Sequence, residues 1–425
     1  MLPIKILFIV SFWISLSFSQ GRMNAFGIGN LYLNQGSEIA SSDLSILAPS
    51  FQKNVSLTNP STWHDLKYTF LSISYSLNQV QINTPSNING YSSLSNVSWI
   101  IPIKSKTSFG ISMAPYSDQR VQLTSKDTST FIAYNDTLEV LQNINRTGGL
   151  MSFKFSGSYK INEKISFGST LNFLFGSSRT NESILFNSNS SIIQNTRRSY
   201  NGLLSQIYLS FKLSERTSIY GSLMQTLKPL ESISLKKGLF EDLNNNEYHD
   251  FYSPIYDFPN PDSLDISEEI KLKELHNPFS YSFSISNNLN DRSKISLEMH
   301  SYNELSKNVE SILLPLNNWI DKSSSQKISY TRFADDLSLN PFDKIIFRVG
   351  FINKNHVLEK NKSEVSEVGF LIGIGFKFKP VGNQLDFGYY HGSRKYSNFD
   401  GTELVQQIQI STSLSDLWFV KRRQK

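Results

Sequence analysis

Acid–base and metal chemistry find few footholds in this 425-residue chain, which has no cysteine and six histidines, His64, His249, His276, His300, His356 and His391, scattered singly. None of them forms an HExxH pair, and no GxSxG elbow is present. The residues therefore indicate a non-enzyme with no cofactor and no bound metal. One stretch, Glu241 to Asp250 (EDLNNNEYHD), does offer oxygen ligands at alternate positions, as a calcium loop does. Such a loop needs glycine at its sixth position and a bidentate glutamate at its twelfth; Glu247 and Ser253 stand there instead. An Asn-rich surface loop is the simpler account.

Two further groups suit binding. Tyr248, Phe251, Tyr252, Tyr256 and Phe258 crowd the long spacer between Lys228 and Pro278. They would capture a hydrophobic ligand, or fold the loop on itself. The charged residues Lys154, Lys212, Glu298, Arg348, Lys377 and Asp386 fall among small polar residues that alternate with apolar ones. Pairing inside a hydrated lumen suits them, with a solute path as the alternative.

The elements that position these groups follow from that alternation. Met151, Phe153, Phe155 and Tyr159 oppose Ser152, Lys154, Ser156 and Lys160, and Phe279, Tyr281, Phe283 and Ile285 oppose Ser280, Ser282, Ser284 and Ser286. A strand sends successive side chains to opposite faces, so each burst has one greasy and one polar face. The bursts exceed the five or six residues usual in a soluble strand and match the ten or so that cross a bilayer.

About fourteen such bursts occur, beginning near residue 66. Tight turns are expected at Lys104-Ser105, Ile161-Asn162, Ser214-Glu215, Asn290-Asp291, Asn340-Pro341 and Val381-Gly382, alternating with long loops. This rhythm predicts an all-β fold: a transmembrane antiparallel β-barrel of about 14 strands with both termini periplasmic. Tyr75, Trp99, Tyr159 and Tyr389 suit aromatic girdles. The alternation fades near residues 117–147 and 304–325.

The ends complete the plan. Residues 1–19 carry Lys5 and an apolar run with small residues at Ser17 and Ser19, as a signal peptide does. Residues 20–65 lack the alternation but hold Phe26, Ile28, Leu31, Leu47, Phe51 and Trp63, apolar enough to need burial, and are expected to plug the lumen. The barrel is placed at 66–419 and a basic tail at 420–425. A formal net charge of +5 without a basic, aromatic-lined face excludes nucleic-acid binding.

Several motifs add a resemblance. GRMNAFGIGN near the start, then Asn59-Pro60-Ser61 ahead of the first strand, resemble the N-terminal hatch of the long-chain fatty acid transporter (FadL/OmpP1/TodX-like) outer-membrane family, with Ser61 where that family carries alanine. Leu275-His276-Asn277-Pro278, Phe347-Arg348-Val349-Gly350-Phe351, Gly373-Ile374-Gly375-Phe376-Lys377 and Leu385-Asp386-Phe387-Gly388-Tyr389 are similar to its later strands, and Glu403 to Arg423 to tails of its Bacteroidetes members.

The resemblance implies passive uptake of hydrophobic small molecules such as long-chain fatty acids through a lateral opening in the wall, gated by a hatch at Asn59, Pro60 and Ser61. Outer-membrane lipid, a hydrophobic small-molecule ligand and, during insertion, the barrel-assembly machinery are the expected partners. The alternatives are a barrel that serves protein secretion, as in a type IX shuttle, and a general porin.

Overall fold

Lipid offers a backbone amide no partner, so strands that face lipid have to pair on both edges. The computed structural model describes residues 21–32 and 45–416, apart from 84–85, 105, 125–128, 134–135, 187–189, 237–238, 245, 247–248, 251–256, 259–267, 307–317, 336–337, 339, 361, 379–382 and 399–400. It meets this demand by closure. The wall strands are β1 (Thr69–Asn83), β2 (Ser86–Lys104), β3 (in segments Thr107–Asp118, Val121–Thr124 and Ser129–Ala133), β4 (Asp136–Lys160), β5 (Ile165–Phe186), β6 (Ser190–Lys212) and β7 (Thr217–Lys236). They continue with β8 (Glu268–His276 and Pro278–Asn288), β9 (Ser293–Glu304), β10 (Ile320–Arg332), β11 (Ile345–Leu358), β12 (Glu364–Phe378), β13 (Asn383–Tyr396) and β14 (Thr402–Asp416). Each pairs antiparallel with the next, and β14 returns to β1 with Ile410 opposite Tyr75, giving a closed fourteen-stranded barrel.

The faces are those the alternation predicts. Phe153, Phe155, Phe173, Phe283 and Phe370 are exposed on the outside, whereas Ser152, Ser156, Ser280, Ser282 and Ser284 are buried inside. Tyr75 and Tyr159 lie on the outer face as expected, about half exposed at 47% and 50%. Gly375, on an inner face, leaves room for charge: a Cβ there would lie 2.4 Å from Asp386 Oδ1.

Two expectations change. Where the alternation fades, Val121–Thr124, Ser129–Ala133 and the start of β4 from Asp136 still form strands. Pairing partners hold these residues extended where their own pattern does not. The tight turn expected at Asn340-Pro341 is instead a connection over residues 333–344 that ends in a 3-10 turn, Pro341–Lys344, capped by Asn340 Oδ1. Arg292 and Arg332 each reach Asp343 at 3.2 Å and tie the connection to the neighbouring turn. The segments 1–19 and 420–425 lie outside the described residues.

Residues 21–32 and 45–66 pack against inward-facing side chains of several strands. Phe51 packs edge-on against Phe70 of β1, with ring centroids 5.6 Å apart. Met23, Phe26 and Leu31 join Leu150, Leu174 and Leu204 in one apolar cluster. Pro60 and Ser61 sit so close to β5 that a Cβ on Gly168 would meet Ser61 N at 2.6 Å.

Two measurements check these assignments. Arg in place of Phe173 on the lipid face should lower the stability of the folded barrel in vesicles by about 2–4 kcal/mol, measured by denaturant titration. Gly168→Ala should lower it by about 1–3 kcal/mol through the clash with the Ser61 backbone, seen as an earlier loss of the heat-resistant band on gels.

Candidate functional site

Among the described residues the wall carries a fork beside the internal segment. From the Lys104–Thr107 turn outward, β2 and β3 pair as far as Val97 opposite Met113. Beyond that point β2 goes on pairing with β1, to Asn83 opposite Ser86. β3 instead takes residues 30–32: Leu31 lies opposite Ser117, Asn30 opposite Asp118, and Tyr32 N donates to Tyr116 O at 3.0 Å. Both strands are irregular at the fork. β2 bulges at Ser95, where its register with β1 shifts, and β3 bulges between Pro115 and Ser117 in its pairing with β4. Proline has no N–H to give a ladder, which suits Pro115 to the place where pairing changes partner.

Gly29 allows the inner strand to dock. Its φ of +92° is open to glycine, and a Cβ there would lie 2.1 Å from Asp118 O. Above the fork the gap is spanned by side chains. Tyr91 of β2 shares a 2.5 Å hydrogen bond with Tyr32, and its ring carries the Arg120 guanidinium at 3.8 Å. Asp118 holds that guanidinium with both carboxylate oxygens, at 2.8 and 3.0 Å. Burial, with Asp118 nearby, raises the Tyr32 phenol, which stays protonated.

The rest of the internal segment is held by inward-facing charged side chains. Arg146 of β4, fully buried, donates to the carbonyls of Gln119 at 3.0 Å, Gly27 at 2.9 Å and Asn24. Glu298 of β9 accepts from Ser45 Oγ and from the amides of Ile46 and Leu47 at 3.1 and 3.2 Å. Arg348 of β11 donates to Ser50 O at 3.0 Å and to Asp386 Oδ1 at 2.7 Å. Glu403 of β14 accepts from Arg22 N at 2.9 Å and pairs with Arg394, which also holds Glu367. A guanidinium held by carbonyls and carboxylates tolerates burial that would otherwise be prohibitive.

Asn59, Pro60 and Ser61 form the base of this segment. Asn59 is completely buried and caps the 3-10 turn Pro60–Asp65, its Oδ1 accepting from Ser61 N at 3.1 Å and Ser61 Oγ at 2.7 Å while its amide donates to Leu47 O at 2.9 Å. At the short-turn end lies an open polar basin of about 700 Å³ lined by Lys53, His64, Asp65, Lys212, Arg216 and Lys294 among others. Burial lowers the His64 imidazole below its usual range.

The other singled-out residues disperse. Lys154 and Lys377 are half-buried on inward faces, apart from the Arg348–Asp386 pair. Tyr248, Phe251, Tyr252 and Tyr256 lie outside the described residues, while Phe258 is 70% exposed and bridges the backbone of Glu241. In the Asn-rich loop the Asn244 and Asn246 amides donate to Asp250 at 2.6 and 2.8 Å. Sequence reading passed over Arg146, Glu367, Arg394 and Glu403. Arg146 keeps the inward parity of Leu150 and Ser152, so counting back along β4 would have found it.

The comparisons match this architecture. The CymD monoaromatic hydrocarbon channel superposes with a TM-score of 0.56 at 14% identity, over 93% of this chain and 100% of that one. A FadL homologue of Pseudomonas aeruginosa gives 0.55 at 12% identity over 92% and 99%, and a TodX monoaromatic hydrocarbon channel mutant 0.54 at 12% over 94% and 100%. At such identities the likeness is one of fold. Comparison with curated proteins finds no match. The BamG family model matches residues 1–425, the whole length of the barrel, its fork and its internal segment, and the chain belongs to the BamG family.

Proposed function

We propose that this protein is an outer-membrane channel that passes hydrophobic small molecules, long-chain fatty acids among them, from the outer loops into the lumen and sideways through the fork between β2 and β3 into the bilayer. The observation that carries this reading is the change of partner at Met113, where the wall gives up its own ladder and is closed by residues 30–32 and side chains. Apolar solutes gain by leaving into lipid, since an aqueous exit would expose their surface to water. The polar basin at the short-turn end suits such a solute poorly, whereas the cluster around Phe26, Leu150 and Leu174 offers it an apolar surround. The solved channels of this fold that are named for monoaromatic hydrocarbons support the same class of cargo.

In this reading the described parts of the 20–65 segment, residues 21–32 and 45–65, form a plug, the short turns and both chain ends face the periplasm, and Asn59–Ser61 is the fixed base from which residues 21–32 move. Arg146 and Gly29 hold the movable part shut. The aromatic loop residues Tyr248, Phe251, Tyr252, Tyr256 and Phe258 provide first capture at the surface.

Liposomes containing the protein should take up a fluorescent long-chain fatty acid, and separately toluene, faster than protein-free liposomes; equal rates for both would remove the transport reading. Gly29→Val should drive residues 30–32 off Asp118 and raise single-channel conductance in planar bilayers several-fold above a nearly closed baseline. A freely conducting wild-type barrel would contradict the plug.

A further inference from the structure

Tyr116 is the bulged residue of β3, between Pro115 and Ser117, and its backbone carbonyl holds Tyr32 of the inner strand. Its side chain does something separate. The hydroxyl lies 2.7 Å from His276 Nε2, and the two rings meet edge to face with centroids 5.6 Å apart. His276 belongs to β8, five places from β3 in the order of the wall, so this contact crosses the lumen. On the far side His276 Nδ1 donates to Glu304 at the end of β9. A carboxylate only accepts, so Nδ1 carries the proton and Nε2 accepts from the Tyr116 hydroxyl.

Glu304 is itself fixed from four directions: besides His276 it accepts from Asn277 N at 2.7 Å, Ser306 N at 3.0 Å and Tyr302 OH at 2.9 Å. The wall is bent to bring these groups together. β8 is interrupted at Asn277, and Glu274 just before it adopts a φ of +55°, a strained conformation for a residue with a side chain. The Glu274 carbonyl is held by the Ser306 hydroxyl. Tyr116, His276 and Tyr302 are all buried, and Phe26, Ile28 and Leu31 of the internal segment pack around them.

We propose that Glu304, His276 and Tyr116 form a strut across the lumen that holds the β3 side of the fork closed, with Tyr116 the residue that positions both the wall edge and the inner strand. The fork widens only when the Tyr116–His276 bond breaks, so the strut sets how often the opening appears, whatever passes through it. Its consequence for flux rests on the transport reading above; its effect on the fork does not.

The absence of native cysteine allows a direct test. Ala114→Cys, a buried reporter at the fork, should react slowly with a water-soluble maleimide in folded, vesicle-embedded protein. Adding Tyr116→Phe should accelerate labelling about ten-fold, the order expected when a buried hydrogen bond is lost and its partner is left unpaired. Glu304→Gln, which keeps the tyrosine, should act in the same direction. Ser284→Cys, a buried reporter on the inner face of β8, should label at an unchanged rate. Unchanged labelling at Ala114→Cys in both variants overturns the strut, as does equal acceleration at both reporters, which marks general loosening. Should the variants fail to fold, hydrogen exchange on the unmodified protein decides: protection of the Tyr32 amide supports the strut, and exchange as fast as in an open loop overturns it. Labelling reads the fork and not uptake, so a failed uptake assay leaves this result intact.

Discussion

A backbone amide in hydrocarbon has no partner but another backbone, and everything in this molecule answers to that constraint. It closes the sheet from β14 back to β1 and makes the wall continuous through strands as different as the even β5 and the segmented β3. It also gives the fork its meaning. Where β2 and β3 part company, the freed edge of β3 is taken up at once by residues 30–32, a piece of chain that belongs to the interior. The β3 edge is completed there by a segment distant in sequence.

The interior follows a second rule, that buried charge has to be met by polar partners. Arg146, Arg348 and Glu298 each reach past the wall to carbonyls or amides of the internal segment. These side chains make the segment's otherwise unsatisfied backbone tolerable inside the ring, and the segment in turn makes their burial tolerable. The fit is reciprocal. Removing either partner leaves polar groups stranded, which couples the wall to the segment it holds.

Much of this was legible in the residues. Alternation placed Phe153 and Phe173 outside and Ser152 and Ser284 inside, because the pleat converts a period of two directly into two faces. The irregular apolar residues Phe26, Leu47, Phe51 and Trp63 announced a segment needing burial, and all four are buried. Less legible were the residues near 117–147, where extended structure is imposed by neighbours, and the long connection at 333–344, where Arg292 from the neighbouring turn and Arg332 from the end of β10 hold Asp343.

The sequence by itself determined the strand count, the two faces and the existence of a separate front segment, since each depends on residue type and spacing along one stretch of chain. Tertiary structure decided which partners meet: Tyr116 with His276, Arg146 with Gly27, Glu298 with Ile46, and β3 with residues 30–32. Those contacts join residues roughly a hundred or more positions apart or change partners at a single bulge. No local pattern encodes such pairings, because their energy exists only once the closed wall has brought both partners to the same lumen.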